Sequence, residues 1–472
     1  MSHPENSAAN TGGTSSGLSA TLGTVEAFGQ SIANVSPTFT PTLNLTVVVA
    51  FAGFLAWPSY LIATLGLFLV AWSMGSLAKR HPTSGSFFLY IGRNFGPLAG
   101  MLAGAAMISA YLFTGIAVII GGGIFLNNMI GAMGLHVQVP HYLFYAVFTA
   151  VLGYFAYRDV KLSARLALIL EALSVLIITA VVVAAVVHHG TLYDPKQFSF
   201  SASDMGKVGP AMAFAIFSFV GFESAATLAK EIKDPSRSVP LIIRATPVVA
   251  GLFFAVIAYL MILASGDNVK LLGSSAAPLV DITKSLGVAW LAAVIYAAAF
   301  VAAFSCALAS LNAASRLIYS MGRYRFVHSS MGAVHASHGT PHFALGVGAV
   351  LMLVVCEALV PADPLNAFGW TGTYAAFGFV LVYLGVALAG VREALKFGDS
   401  GARKTVDSVL GVGGALIMAY VLYGSLYPAP AYPYDLLPYL FAASLLVVAG
   451  WYAVLKTRVP QVLAGISSMD LD

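Results

Sequence analysis

The chain has 472 residues, of which 59% are hydrophobic and only 9% charged, with 46 glycines. Too little polar surface is available to coat such a chain in water, which excludes an ordinary soluble domain and indicates a polytopic membrane protein. The formal net charge of +4 comes from basic residues scattered along the chain, so it is no signal for nucleic acid.

Residues 1–20, rich in Ser, Gly, Thr and Asn, read as a disordered cytoplasmic tail and not as a signal peptide, because no basic segment precedes the first apolar run. Twelve apolar spans follow, at 22–46, 47–77, 97–127, 141–157, 165–188, 208–230, 240–264, 289–320, 342–360, 366–389, 407–427 and 436–456. Each is long enough for a helix to cross a hydrocarbon core of roughly 30 Å. The transmembrane domain is thus 21–456, and 457–472 reads as a second cytoplasmic tail. Sorting the 23 Lys and Arg residues between alternate loops gives a lopsided split. Only Lys196, Lys207, Lys270 and Lys284 fall on one side, while Arg316, Arg244 and the rest fall on the other, which places both termini in the cytoplasm.

The first span reads GQSIANVSPTFTPTLN. Pro37 lacks an N–H and its ring clashes with the preceding turn, so the helix should break near Val35 and Ser36. Ser36 then becomes the N-cap of a second half-helix, with Pro37 in its first position. Two acidic residues lie deep inside later spans, where a lipid-facing carboxylate is costly, so both should face the bundle interior. Glu171 sits two turns into the fifth span, either coupled to function or paired with Arg165. Glu223 sits mid-way along the sixth, either functional or a hydrogen-bonding tie to a neighbour. Gly221 beside Glu223 weakens that span by about 1 kcal/mol relative to alanine. Cys306 and Cys356 both fall inside spans and read as small packing residues, not as disulfide or metal ligands.

Freed backbone groups at membrane depth are tolerated only where they are buried in protein or line a cavity. Breaks in the first and sixth spans fit two inverted five-helix repeats, at about 21–190 and 206–390, with two further helices at about 406–456. The fold class is therefore all-α and polytopic, with about twelve transmembrane helices of which 1 and 6 are discontinuous. Substrate is expected at the midplane between the breaks.

Three stretches carry a family resemblance: LAKRHPTSGSFFLYIGRNFGPLAG at 77–100, FSFVGFESAATLAKEIKDPSRSVPLII at 217–243, and SLNAASRLIYSMGR at 310–323. The middle one holds a Glu-x-x-x-Pro-x-Arg-x-x-Pro pattern at Glu231, Pro235, Arg237 and Pro240. The chain resembles the amino acid-polyamine-organocation transporter family, with its LeuT-type inverted-repeat fold. Two departures stand out. Many members carry a Gly-Ser-Gly type of run where this chain has Ala33-Asn34-Val35-Ser36-Pro37, and many proton-coupled members carry a lysine where this chain has Ser174, one turn after Glu171.

The resemblance implies secondary active transport or exchange of an amino acid or related organic amine by alternating access. The expected substrate site has the carboxylate on groups around Ser36, Thr38 and Phe39 and the ammonium on carbonyls near Ile32, Ala33, Phe217 and Ser218. Phe219 or Phe222 closes over it, Asn34 and Gly221 line the breaks, and Glu223 offers charge compensation or a gate. For coupling, Ser174, Ser305, Ser310 and Asn312 are candidate cation oxygens, and Glu171 is the titratable group a proton would need. Coupling to H+, coupling to Na+ and uncoupled exchange all remain open, as does the oligomeric state.

No cofactor or metal is expected. The chain lacks a G-x-x-x-x-G-K-[ST] phosphate loop, and the adjacent pair His188-His189 points to different helix faces. A polyamine or ethanolamine carrier and a non-transporting ligand sensor are the alternatives. A membrane enzyme lacks a catalytic constellation, and a channel lacks a repeated filter loop.

Overall fold

The computed structural model describes residues 18, 20–82, 85–158, 160–200, 207–275, 277–285, 287–288, 290–397, 401–427, 429–430 and 432–460. Most of both expected tails lies outside these residues. The described elements are helical, apart from one isolated backbone bridge.

In chain order they are α1 (Thr24–Val35), a π-helical turn (Thr40–Asn44), α2 (Leu45–Ala52), α3 (Ala56–Arg80), α4 (Ser86–Phe95), α5 (Pro97–Ala132), α6 (His141–Arg158) and α7 (Val160–His189). Then come α8 (Val208–Phe217), a 3-10 segment (Ser224–Glu231), α9 (Pro235–Ala264), α10 (Val269–Ser274), α11 (Pro278–Ser285) and α12 (Leu291–Arg323). The last are α13 (His342–Ala358), α14 (Pro364–Phe397), α15 (Gly401–Leu426) and α16 (Leu437–Arg458).

Among the described residues, eight helical stretches are long and apolar enough to cross a membrane. One of them, Thr24–Arg80, contains two of the sequence-derived spans. Its internal turn falls at Gly53, where φ is +54°, and not at 46/47. The apolar run continues unbroken through Val47, Val48, Val49 and Ala50, so hydropathy alone cannot mark the boundary. Three helices were not foreseen as elements: α4, and the short pair α10 and α11, whose length and polarity fall below any span criterion.

α5 has 36 residues, about 54 Å at 1.5 Å per residue, so it overshoots the hydrocarbon core. It forms the centre of the molecule, packing chiefly on α12 and α14. Small residues make the approach close: a Cβ on Gly378 of α14 would lie 2.5 Å from the Ala106 carbonyl of α5. Without a hydrophobic drive between helices in lipid, this kind of close contact is what holds them together. The outer helices turn large apolar side chains outward, including Leu416 on α15 and Leu446 and Val447 on α16. Such a surface suits acyl chains, and the chain is an integral membrane protein.

Candidate functional site

Both expected breaks are present. α1 stops at Val35, and α8 stops at Phe217, after which residues 218–223 form successive turns. The sequence reading makes Ser36 the N-cap of a second half-helix; the structure makes it the C-cap of α1. Its φ is +47°, and its N–H donates to the Ile32 carbonyl at 2.9 Å. Pro37 has no N–H to give, so residue 36 is the last that can close the carbonyls of α1. The chain restarts at Thr40, and Pro41, not Pro37, takes the opening turn.

Gly221 has φ +92°, a conformation glycine adopts without strain. A Cβ there would stand 2.5 Å from Asn34 Nδ2, so the two breaks lie in direct contact. Further bonds join them: Ala225 N–H donates to Ser31 Oγ at 3.1 Å and Ser224 Oγ to the Gln30 carbonyl at 3.3 Å.

Each break faces a buried carboxylate. Glu171 reaches from α7 into the first break, where its Oε1 accepts from the Thr38 N–H at 2.9 Å and the Thr38 hydroxyl at 2.8 Å. Its Oε2 accepts from Ser36 Oγ at 3.3 Å. The donors that the sequence reading assigns to a substrate carboxylate at Ser36 and Thr38 are therefore held by a carboxylate of the protein itself. Arg165, the alternative partner for Glu171, instead pairs with Glu26 at 2.7 Å.

Glu223, in the second break, is clamped by two phenols. Tyr111 of α5 donates to Oε1 at 2.6 Å, and Tyr383 of α14 donates to Oε2 at 2.5 Å. Charge-assisted O–H donors of this length are among the stronger protein hydrogen bonds. Neither tyrosine is conspicuous in the sequence, since each looks like one more aromatic in an apolar helix.

The other candidate residues divide into those the fold gathers and those it does not. Ser310 Oγ donates to Asn34 Oδ1 at 2.6 Å, and Cys306 Sγ to the Asn34 carbonyl at 3.2 Å. Ser305 Oγ donates to the Ala167 carbonyl at 2.8 Å, and Ser174 Oγ to the Ala298 carbonyl at 2.9 Å, both across the α7–α12 contact. Ala33 packs with Ala167 and Ala309 in the same layer. Asn312 stands apart, with its carbonyl and Oδ1 accepting from Arg316.

Phe39 stacks on Phe368 and meets Phe125 edge-on, with centroids 5.8 and 5.3 Å away. Phe217 is half-buried against Gly372. Ser218 Oγ and Tyr60 OH are 3.2 Å apart. Phe219 turns away towards Phe254, at 5.0 Å, while Phe222 lies 5.3 Å from Tyr383 beside the Glu223 clamp. Two polar atoms at the first break, Asn34 Nδ2 and Gln30 Oε1, are buried without a partner.

A second polar layer follows the sixth-span break. Arg316, which the charge-sorting counts on the cytoplasmic side, is fully buried on α12. Its Nε donates to Glu231 Oε1 at 2.8 Å and its Nη2 to Oε2 at 3.2 Å, a bidentate pair that satisfies both ions. Leu22 N–H donates to the Glu231 carbonyl at 2.8 Å, and Lys233 N–H to the Leu22 carbonyl at 3.0 Å. Buried carboxylates thus extend beyond the two found by span position: Glu231, Glu393 and Asp407 are buried as well.

Two interrupted helices meeting inside an apolar bundle, each facing a carboxylate, define a polytopic membrane protein with a polar centre. The sequence profile described as "Amino acid permease" matches residues 27–460, and the chain belongs to that family. It is similar to an uncharacterised transporter of Mycobacterium tuberculosis (strain ATCC 25618 / H37Rv), 30% identical over 369 residues, covering 76% of this chain and 77% of the relative. The branched-chain amino acid permease BcaP of Bacillus subtilis (strain 168) is 25% identical over 353 residues, covering 71% and 73%. The low-affinity putrescine importer PlaP of Escherichia coli (strain K12) is 27% identical over 332 residues, covering 68% and 71%. The protein is a transporter of amino acids or related amines and not an enzyme.

Proposed function

We propose that the protein is a secondary active transporter that works by alternating access, with substrate bound between the two breaks and a proton carried by Glu171. The observation that carries this reading is the bridge from Glu171 across α7 to the Ser36–Thr38 break. A titratable group that closes a broken helix by accepting its N–H and hydroxyls links protonation to the conformation of that helix.

Twelve crossings follow if Thr24–Arg80 is counted twice at its Gly53 turn and α6, the α8 segment and α13 are each counted as spans. The repeats would then be α1 to α7 and α8 to α14, with α15 and α16 as the additional pair. Both termini would be cytoplasmic, on the side that carries most of the Lys and Arg residues. The Glu231–Arg316 pair and the Leu22 bridge would close the pathway on that side, and the Tyr111–Glu223–Tyr383 clamp would form its inner gate.

Substrate recognition is assigned to Asn34, Gly221, Phe217, Ser218 and Phe222 with the carbonyls near Ile32 and Ala33. Asn34 Nδ2 and the Thr40 hydroxyl are buried donors without a partner at the first break, whereas Thr38 and Ser36 are occupied by Glu171. Leaving a buried donor unpaired costs about 1–3 kcal/mol, which a substrate oxygen would recover. Ser174 and Ser305 support the α7–α12 contact beside Glu171, and Ser310 ties α12 to Asn34; these three are the oxygens on which a sodium ion would draw, with H+ favoured because Glu171 lies at the break itself. A polyamine or other amine carrier is the second reading, favoured by the similarity to a putrescine importer.

The test is flux in proteoliposomes. Labelled branched-chain amino acids, asparagine and putrescine are offered under an imposed pH gradient, under a sodium gradient, and in counterflow. Accumulation driven by the pH gradient is expected. Binding without flux of any of these solutes would overturn the transport mechanism proposed here.

A further inference from the structure

Arg244 lies in the third turn of α9, partly buried, with its guanidinium stacked on Trp72 of α3 at 4.3 Å from the ring centroid. Its Nη2 donates to the Trp72 carbonyl at 3.3 Å and to Ser76 Oγ at 3.0 Å. Its Nε faces Gly75, where a Cβ would stand 2.9 Å away, and has no partner. No carboxylate among the described residues lies within ion-pair distance of this arginine. The acid whose charge acts on it is Asp407 of α15, and Oδ1 of that residue accepts from Trp72 Nε1 at 2.7 Å. Arg403, one turn before Asp407 on α15, is close enough for its charge to act on Arg244 as well. Arg403 is exposed and makes no ion pair among the described residues.

Arg244 therefore has a second cation and one partly committed carboxylate near it, at the end of the bundle that also carries Lys79 and Arg80. An arginine within a membrane segment is costly unless its charge is compensated. The surface around this cluster is apolar and exposed, with Leu241 one turn before Arg244 and Val406 and Val409 beside Asp407. Basic side chains where α9 and α15 both pack on α3, beside Trp72 and acyl-compatible side chains, match a charged head attached to hydrocarbon.

We propose that the cleft between α3, α9 and α15 binds the phosphate of an anionic phospholipid. Arg244 and Arg403 supply its positive charge, Trp72 its floor, and Leu241 and Val409 the contact with the acyl chains. Arginine suits phosphate because its fork donates two parallel N–H groups, and among the described residues Arg244 donates hydrogen bonds through Nη2 alone. A lipid held there would tie α9 and α15 to α3. The inference is independent of the transported solute.

The experiment uses the full chain in dodecyl maltoside, titrated with phosphatidylglycerol, cardiolipin, phosphatidylcholine or inorganic phosphate. Retained lipid is read by native mass spectrometry and stability by thermal unfolding. The anionic lipids are expected to form a one-to-one adduct and raise the unfolding temperature, while phosphatidylcholine and inorganic phosphate do neither. Arg403→Gln and Arg244→Gln should each weaken retention by about tenfold, the loss of one charge-assisted contact. Arg158→Gln, on α6, should leave retention unchanged. Because Arg403 is exposed, its variant folds whether or not Arg244→Gln does. Equal retention of phosphatidylcholine, wild-type retention by Arg403→Gln, or the same shift with inorganic phosphate would each overturn the proposal.

Discussion

Replacing Glu171 with Gln keeps the shape of the carboxylate and removes its charge and its proton. The amide oxygen can still accept from the Thr38 N–H and hydroxyl, now 2.9 and 2.8 Å from Oε1. The Ser36 contact, at 3.3 Å, is long and contributes least. A hydrogen bond to a charged acceptor contributes about 1.5–3 kcal/mol and a neutral one about 0.5–1.5 kcal/mol. Two bonds that each lose about 1 kcal/mol weaken the docking of the broken first span by about 2 kcal/mol, roughly a 30-fold change in its docking equilibrium constant. The assay is transport in proteoliposomes, comparing accumulation under a pH gradient with counterflow at equal pH. Accumulation should fall to simple equilibration, while counterflow stays within about fivefold of wild type. Accumulation with unchanged pH dependence would refute the proton role. Equal loss of both activities would reduce Glu171 to a structural brace.

Further outcomes test other parts of the site. Glu223→Gln is expected to lower uptake of putrescine more than that of neutral amino acids, measured as the ratio of the two initial rates; equal losses would leave Glu223 as a tie between helices. Tyr111→Phe and Tyr383→Phe each remove one donor to Glu223, and each should change the pH profile of uptake while costing about 1–3 kcal/mol in stability. Gly221→Ala places a methyl group against Asn34 at a positive φ, and should abolish binding in a thermal-shift screen and lower the unfolding temperature. Arg316→Gln leaves Glu231 buried and unpaired, at a cost of about 3–5 kcal/mol, and the double variant Glu231→Gln with Arg316→Gln should recover part of that loss in the same unfolding measurement.

The backbone events were legible in the sequence because single residues impose them. Pro37 removes an N–H, and Gly221 permits a conformation that a side chain resists, so both breaks could be placed to within a few residues. What followed each break was not legible. Whether Ser36 ends one helix or begins another depends on which carbonyls lack donors, and that is settled by the position of Pro41 together with the carboxylate arriving from α7.

Long-range pairing was the main thing hidden. Glu223 was singled out by its depth, but Tyr111 and Tyr383 lie 112 and 160 residues from it and resemble any other interior aromatic. Arg316 was counted only for sidedness, since a basic residue near the end of a span ordinarily reaches the interface. Its burial becomes intelligible only beside Glu231, 85 residues earlier.

The parallel bridge at Leu22 has a mechanical consequence. By fastening residue 22 to residues 231–233, it turns the first half of the polypeptide into a closed loop whose knot lies just outside both interrupted spans. A displacement of α1 cannot then be absorbed by slack in the chain before it. It pulls instead on the chain leaving the sixth span, so the two breaks are joined through this short backbone splice.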